Sequence, residues 1–118
     1  MNQIKVLAVD DDIINLKLLK SILLKLPNVS EVYEAKNGAD ALGVLKNHDD
    51  VGLILLDIIM PVMGGIEMLK VVRADQDLKN IPVIVLTTDE TKRTEALDCC
   101  ANDFVMKPVR KEQVGEKV

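Results

Sequence analysis

Aromatic residues are nearly missing from this chain: Tyr33 and Phe104 are the only two, and there is no tryptophan. The core must therefore be built from Leu, Ile and Val. No run of about 18 apolar residues occurs, so no membrane span is expected. The opening Met1-Asn2-Gln3-Ile4-Lys5 lacks the basic stretch and long apolar region of a secretory signal. A cytoplasmic location is the expectation. Cysteine is scarce, and Cys99 and Cys100 are adjacent. A bridge between sequence neighbours is strained and closes no useful loop, so both read as reduced packing thiols. Basic excess is missing too. The net charge of −4 argues against nonspecific nucleic-acid binding by this domain.

What is present suits one domain over residues 1–118, with 48% hydrophobic and 29% charged residues. Strand-like and helix-like stretches alternate. Ile4 to Val9 reads as a buried strand. Residues 13–26 read as a helix whose apolar face is Leu16, Leu19, Ile22, Leu23 and Leu26, with Leu18 and Leu24 broadening the stripe. Pro27-Asn28 stops it. A strand over 31–35, a turn at Asn37-Gly38 and a helix over 39–46 follow. A strand over 51–56 ends in Asp57. A loop over 61–65 leads to a helix over 66–73, then a strand over 82–86. A polar helix over 90–100, a strand over 103–106 and a final helix from Arg110 complete the pattern. Five βα units with near-continuous apolar strands predict an α/β fold: a parallel sheet with helices on both faces. Crossovers should be right-handed. In such doubly wound sheets, ligands bind beyond the carboxyl ends of the strands.

Those ends carry an unusual set. The first strand ends in Asp10-Asp11-Asp12, the third in Asp57, the fourth in Thr87, and the fifth in Lys107-Pro108. Parallel strands bring them to one edge. Carboxylates packed together repel, and a bound cation relieves that repulsion. Hard oxygen ligands with open water positions suit Mg²⁺. A further carboxylate can then act as a nucleophile toward phosphorus. Lys107 and the metal would offset charge on a transferred phosphoryl group, with Thr87 donating a hydrogen bond to it. Each residue also has a plainer role. Asp12 can be a helix N-cap, and Asp10 or Asp11 a turn residue. Thr87 can be a strand-end hydrogen bonder and Lys107 a solvated charge. Asp57 is harder to explain plainly, because an acid ending so apolar a run needs compensation if buried.

The blocks Val9-Asp10-Asp11-Asp12, Leu56-Asp57-Ile58-Ile59-Met60-Pro61, Leu86-Thr87-Thr88 and Met106-Lys107-Pro108 resemble, in order and spacing, the signature blocks of response-regulator receiver domains. The resemblance covers essentially the whole chain. It implies a flavodoxin-like five-stranded sheet in the order 2-1-3-4-5. It implies Asp57 as phosphoacceptor, Asp11 as a direct Mg²⁺ ligand and Asp10 as the acid holding metal-bound water. The backbone carbonyl of Ile59 would be a further ligand. Thr87 and Lys107 would contact the phosphoryl group, Phe104 would be the switch aromatic, and Lys107-Pro108 a cis peptide. Ile59 and Asp89 would border the path of the hydrolytic water. The implied partners are a sensor histidine kinase or phosphotransfer protein, and an output domain or partner protein at the 90–118 face.

Departures from the family pattern are visible. Gly64 stands where the family often has Asp, which predicts a more flexible Gly64-Gly65 turn. Cys100-Ala101-Asn102-Asp103 replaces the usual Gly-Ala-Asp-Asp. The segment from Thr87 to Lys107 is about two residues short, and the last helix is short and holds Gly115. Two rivals share some of these features. A haloacid-dehalogenase-type phosphatase also uses Asp-x-Asp, Thr and Lys in that order. It needs a further acidic motif after the lysine, however, and leaves Asp57 without a role. A non-phosphorylated interaction module on the same fold would not need the full acidic set.

Overall fold

The computed structural model describes residues 3–58, 63–87, 91–99 and 101–106. The elements are β1 (Ile4–Val9), α1 (Ile13–Leu24), β2 (Val29–Ala35), α2 (Gly38–Asn47) and β3 (Val51–Asp57). They continue with α3 (Gly65–Ala74), β4 (Val83–Thr87), α4 (Lys92–Asp98) and β5 (Asp103–Met106). All strand pairs are parallel, and the order is β2-β1-β3-β4-β5. This is the flavodoxin-like sheet that the sequence led us to expect. The final helix expected from Arg110 lies outside the described residues.

Period-two alternation divides the strand side chains between two apolar layers. Val6 and Ala8 of β1, Leu53 and Leu55 of β3, and Ile84 and Leu86 of β4 pack under Leu16, Leu19, Ile22 and Leu23 of α1. Leu7, Val9, Ile54, Leu56, Val83 and Val85 face the other way. They pack against Ala41 and Leu45 of α2, Met68, Leu69 and Val72 of α3, and Ala96 of α4. Full burial of a side chain such as Leu23 is worth about 1.5–3 kcal/mol. With both faces covered, only the strand ends remain for chemistry.

Several expected boundaries shift. Helix α1 stops at Leu24, with Lys25 as C-cap, its N–H donating to the carbonyls of Ile22 and Leu23. Leu26 precedes Pro27, whose ring disfavours helical backbone at the residue before it. Leu26 nevertheless stays in the core. Leu18 and Leu24 do not broaden the buried stripe: they are 48% and 49% exposed. Strand β2 begins at Val29, whose side chain is buried opposite Ile4. Helix α4 is shorter than the 90–100 expected, because Ala96 is its one buried residue and little anchors further turns.

Asn102, read as a departure from pattern, ties two segments together. Its N–H donates to the Val83 carbonyl at 2.8 Å, and its Oδ1 accepts from the Val83 N–H at 2.8 Å. The same Oδ1 accepts from the Arg73 guanidinium at 2.7 Å. Arg73 also donates to the Ile81 carbonyl at 2.7 Å. The end of α3, the start of β4 and the turn before β5 are thereby pinned to one another.

Candidate functional site at the carboxyl edge of the sheet

Among the described residues, the buried polar or charged side chains are Asp10, Asp57 and Thr87, at 1%, 6% and 2% exposure. All three stand at strand carboxyl ends. In a core of Leu, Ile and Val such groups persist only where something compensates them.

Asp10 follows β1 directly. Its backbone N–H donates to the Ala35 carbonyl at 3.1 Å, which keeps the chain tied to β2 one residue beyond the strand. Its Oδ1 accepts the Asp12 N–H at 2.9 Å. Asp12 caps α1, its Oδ1 accepting the Ile14 N–H at 2.9 Å. The plainer reading of Asp12 is therefore what the structure shows. Asp57 is the last residue of β3 and pairs with Leu86. The next N–H, of Ile58, donates to the Leu86 carbonyl at 3.3 Å. One carboxylate oxygen from each of Asp10, Asp11 and Asp57 lies within 4.8 Å of the others, with Asp11 exposed to solvent. Two buried charges such as those of Asp10 and Asp57, about 5 Å apart, repel by about 3 kcal/mol at an effective dielectric near 20. The donor set is all oxygen, with one open side. That fits a small hard divalent cation that keeps several waters.

Thr87 ends β4 next to Asp57 and pairs with Met106 of β5. Strand alternation puts Thr87 on the sheet face of Val83 and Val85, under α4. Phe104 packs against that same layer, half-buried, two register positions from Thr87. The structure thus brings Asp10, Asp11 and Asp57 into one cluster and puts Thr87 at the same edge, with Phe104 further back on β5. Ile59, Lys107, Pro108, Asp89 and Cys100 lie outside the described residues.

Three features were not anticipated from sequence. First, Gly65 is needed for space rather than for flexibility. Its N–H donates to the Ile58 carbonyl at 2.7 Å. A Cβ there would overlap the Asp57 carbonyl oxygen and lie 2.7 Å from Ile58 Cα. Helix α3 is thus seated directly on the strand end that carries Asp57. Second, Ile13 and Ile14, which begin α1 beside the cluster, are 63% and 77% exposed. Third, the Arg93 guanidinium of α4 stands 5.8 Å from the centroid of the Phe104 ring. Single glycines and isoleucines give no local signal of such contacts, and Arg93 meets Phe104 only through the packing of α4 on β5.

The opposite, amino edge of the sheet carries a different charged group. Lys5 Nζ meets Asp50 Oδ2 at 2.6 Å, with Glu31 at 3.7 Å. The hydrogen bond from Lys5 holds the Asp50 carboxyl below its usual range. The same bond, together with the attraction of Asp50, holds the Lys5 ammonium above its own. Partial burial, then the nearby Asp50 charge, pushes the Tyr33 hydroxyl up. A cavity of about 550 Å³ opens at this edge, between Leu45, Val51, Leu78 and Ile81. Its lining includes none of Asp10, Asp11 and Asp57, so it is separate from the acidic cluster.

Comparison with known proteins agrees with this geometry. Residues 6–118 match the family model described as the response regulator receiver domain. A chemotaxis protein CheY homolog of Campylobacter jejuni is 33% identical over 97% of this chain and 88% of its own. CheY1 of Helicobacter pylori strain J99 is 34% identical over 97% and 93%. Among solved structures, Vibrio cholerae CheY4 superposes with a TM-score of 0.88 at 32% identity, covering 98% of this chain and 95% of that one. The CheY of a CheX-CheY-BeF3-Mg complex from Borrelia burgdorferi gives 0.88 at 28% identity, covering 98% and 87%. Matched from β1 onward and sharing the strand order, this chain belongs to the response-regulator receiver family, the signalling receivers of two-component systems.

Proposed function

We propose that this receiver accepts a phosphoryl group on Asp57, with Mg²⁺ held by Asp10, Asp11, Asp57 and the Ile59 carbonyl. The observation that carries the reading is the cluster of three carboxylates at the carboxyl edge, two of them buried. The donor is a phosphorylated histidine of a sensor kinase or phosphotransfer protein. An Asp57 carboxylate oxygen forms the new O–P bond as the donor N–P bond breaks, and the histidine nitrogen keeps the electron pair. Bound Mg²⁺ would offset charge on the carboxylates and on the phosphoryl oxygens. Lys107 supplies a second positive charge to those oxygens, and Thr87 donates a hydrogen bond to one of them. The relative from Borrelia, captured with beryllofluoride and Mg²⁺, supports this assignment.

The protein then acts as a switch and not as an enzyme on other substrates. The chemistry it accelerates is the gain and loss of its own phosphoryl group. Thr87 moves toward the phosphoryl group, Phe104 turns inward, and the face formed by residues 90–118 changes its fit to a partner or output domain. The bias comes from differential contacts in the two arrangements. Ile13 and Ile14, exposed beside the cluster, offer apolar surface for a phosphodonor protein to cover. No helix among the described residues is long and apolar enough to cross a membrane, and the proposal carries a cytoplasmic location.

The test is intact-mass measurement after incubation with acetyl phosphate and Mg²⁺. One phosphoryl group should be gained, and none in Asp57→Asn or in EDTA. A gain that survives in Asp57→Asn overturns the assignment of the nucleophile. Turnover of p-nitrophenyl phosphate would favour the phosphatase rival. Absence of both phosphorylation and a beryllofluoride response would favour the unmodified interaction module.

A further inference from the structure

The contact between Arg93 and Phe104 links helix α4 to the residue that the receiver reading makes its switch. Phe104 lies on β5, half-buried against the layer beneath α4. Arg93 lies in the first turn of α4, exposed, with its guanidinium carbon 5.8 Å from the ring centroid. That is within the range at which a cation is attracted to the negative face of an aromatic ring. Helix α4 spans Lys92–Asp98 and buries only Ala96. The Arg93–Phe104 contact therefore joins Ala96, packed in the core layer, in holding the helix against β5. Among the described residues, the neighbouring Lys92 turns instead to Glu95 at 3.8 Å along the helix.

We propose that Arg93 is a positioning residue for the switch, holding the Phe104 ring in its half-buried arrangement and opposing its inward turn. The inference rests on the receiver reading above. Turning the ring into the sheet edge carries its face away from the guanidinium, so this attraction is present in one arrangement and lost in the other. An exposed contact of this type shifts such an equilibrium by about two- to fivefold, equivalent to about 0.5–1 kcal/mol. Anything that selects the inward arrangement then binds with an apparent affinity reduced by up to the same factor.

Phe104 is the only phenylalanine in the chain, so metabolic replacement with fluorinated phenylalanines changes one site. Beryllofluoride with Mg²⁺ is titrated into the full chain, and the ¹⁹F signal of 4-fluorophenylalanine at position 104 is followed. Arg93→Met keeps a long stem and comparable helix propensity while removing the charge. It should lower the titration midpoint two- to fivefold and move the starting ¹⁹F shift toward its saturated value. Arg93→Lys should recover most of the wild-type midpoint. Adding fluorines stepwise to the ring weakens its negative face, and should lower the midpoint in the wild type but not in Arg93→Met. A general packing role for Arg93 would not produce that dependence. An unchanged midpoint in Arg93→Met overturns the inference, as does an equal fluorine effect in both proteins. The receiver reading survives either result. A wild-type protein that gives no beryllofluoride response overturns the proposed phosphoacceptor function and this inference with it.

Discussion

Two adjacent glycines at the start of α3 should respond to substitution in opposite directions. At Gly65, an added Cβ meets the Asp57 carbonyl oxygen and Ile58 Cα, both backbone atoms that cannot rotate aside. Alanine gains up to about 1 kcal/mol in helix propensity. Forcing a methyl group into filled space costs about 1–3 kcal/mol. The overlap dominates here, because relief requires α3 or the end of β3 to move. Gly65→Ala should therefore lose about 1–2 kcal/mol in urea unfolding. The displaced strand end carries Asp57, so phosphorylation by acetyl phosphate should slow by about ten- to a hundredfold, the scale of misplacing a reacting group by up to an ångström. Gly64 is the internal control. It is the N-cap of α3, with φ −72° and ψ 166°, and makes no side-chain cap. A Cβ there would sit 3.5 Å from the Ile58 carbonyl oxygen, an ordinary contact. Gly64→Asp should gain about 0.5–1 kcal/mol by capping the helix and by restricting the unfolded chain. A Gly65→Ala protein as stable as wild type refutes the packing argument. A destabilised one that phosphorylates at the wild-type rate separates Gly65 from the positioning of Asp57.

Other perturbations test other parts of the molecule. Asp11→Ala should abolish Mg²⁺-dependent phosphorylation and, by removing like-charge repulsion, raise Tm in EDTA by about 3 °C; a lower Tm contradicts the repulsion. The Lys5–Asp50 pair should set a pH window. Asp50 is held below its ordinary 3.8, so its contribution is present above that value and lost as pH falls through the lower folded value. Lys5 is held above its ordinary 10.5, so its contribution is present below that value and lost as pH rises through the higher folded value. Asp50→Asn should therefore cost stability at pH 7 and little at pH 2, and equal losses at both would contradict this. Ile59→Asn should speed decay of the phosphorylated protein by about a hundredfold, because an amide can orient water where an isoleucine side chain cannot. An unchanged decay rate removes Ile59 from control of the lifetime.

The fold was legible because its signals are local. Apolar runs such as Val51 to Leu56 are too short for helices and too continuous for a sheet with one wet face, so they indicate buried parallel strands. Helix ends were less legible. Leu18 and Leu24 look like core residues by composition, and their exposure depends on how α1 is rotated against the sheet. Leu26 shows the reverse: it leaves the helix before Pro27 yet remains in the core, because the turn folds it back under Val29.

The site divides along the same line. Asp10, Asp11 and Asp57 could be found from sequence because parallel topology alone sends strand ends to one edge, and three carboxylates meeting there require a compensating charge. Gly65, Asn102 and Arg93 could not. The role of each depends on an atom distant in the chain or on a space that exists only after packing. Gly64 and Gly65 make the point most directly. The same residue type stands twice in succession, and sequence reasoning assigned flexibility to both. Among the described residues, a Cβ at Gly64 meets only an ordinary contact, whereas one at Gly65 overlaps backbone. A strand-end motif can therefore identify which groups meet at this edge, whereas how closely the strand end carrying Asp57 is packed depends on helix α3, and in the proposed switch how readily Phe104 turns depends on helix α4. Variation within those helices, with every acidic residue unchanged, should be enough to separate receivers that share this site but differ in how easily they switch.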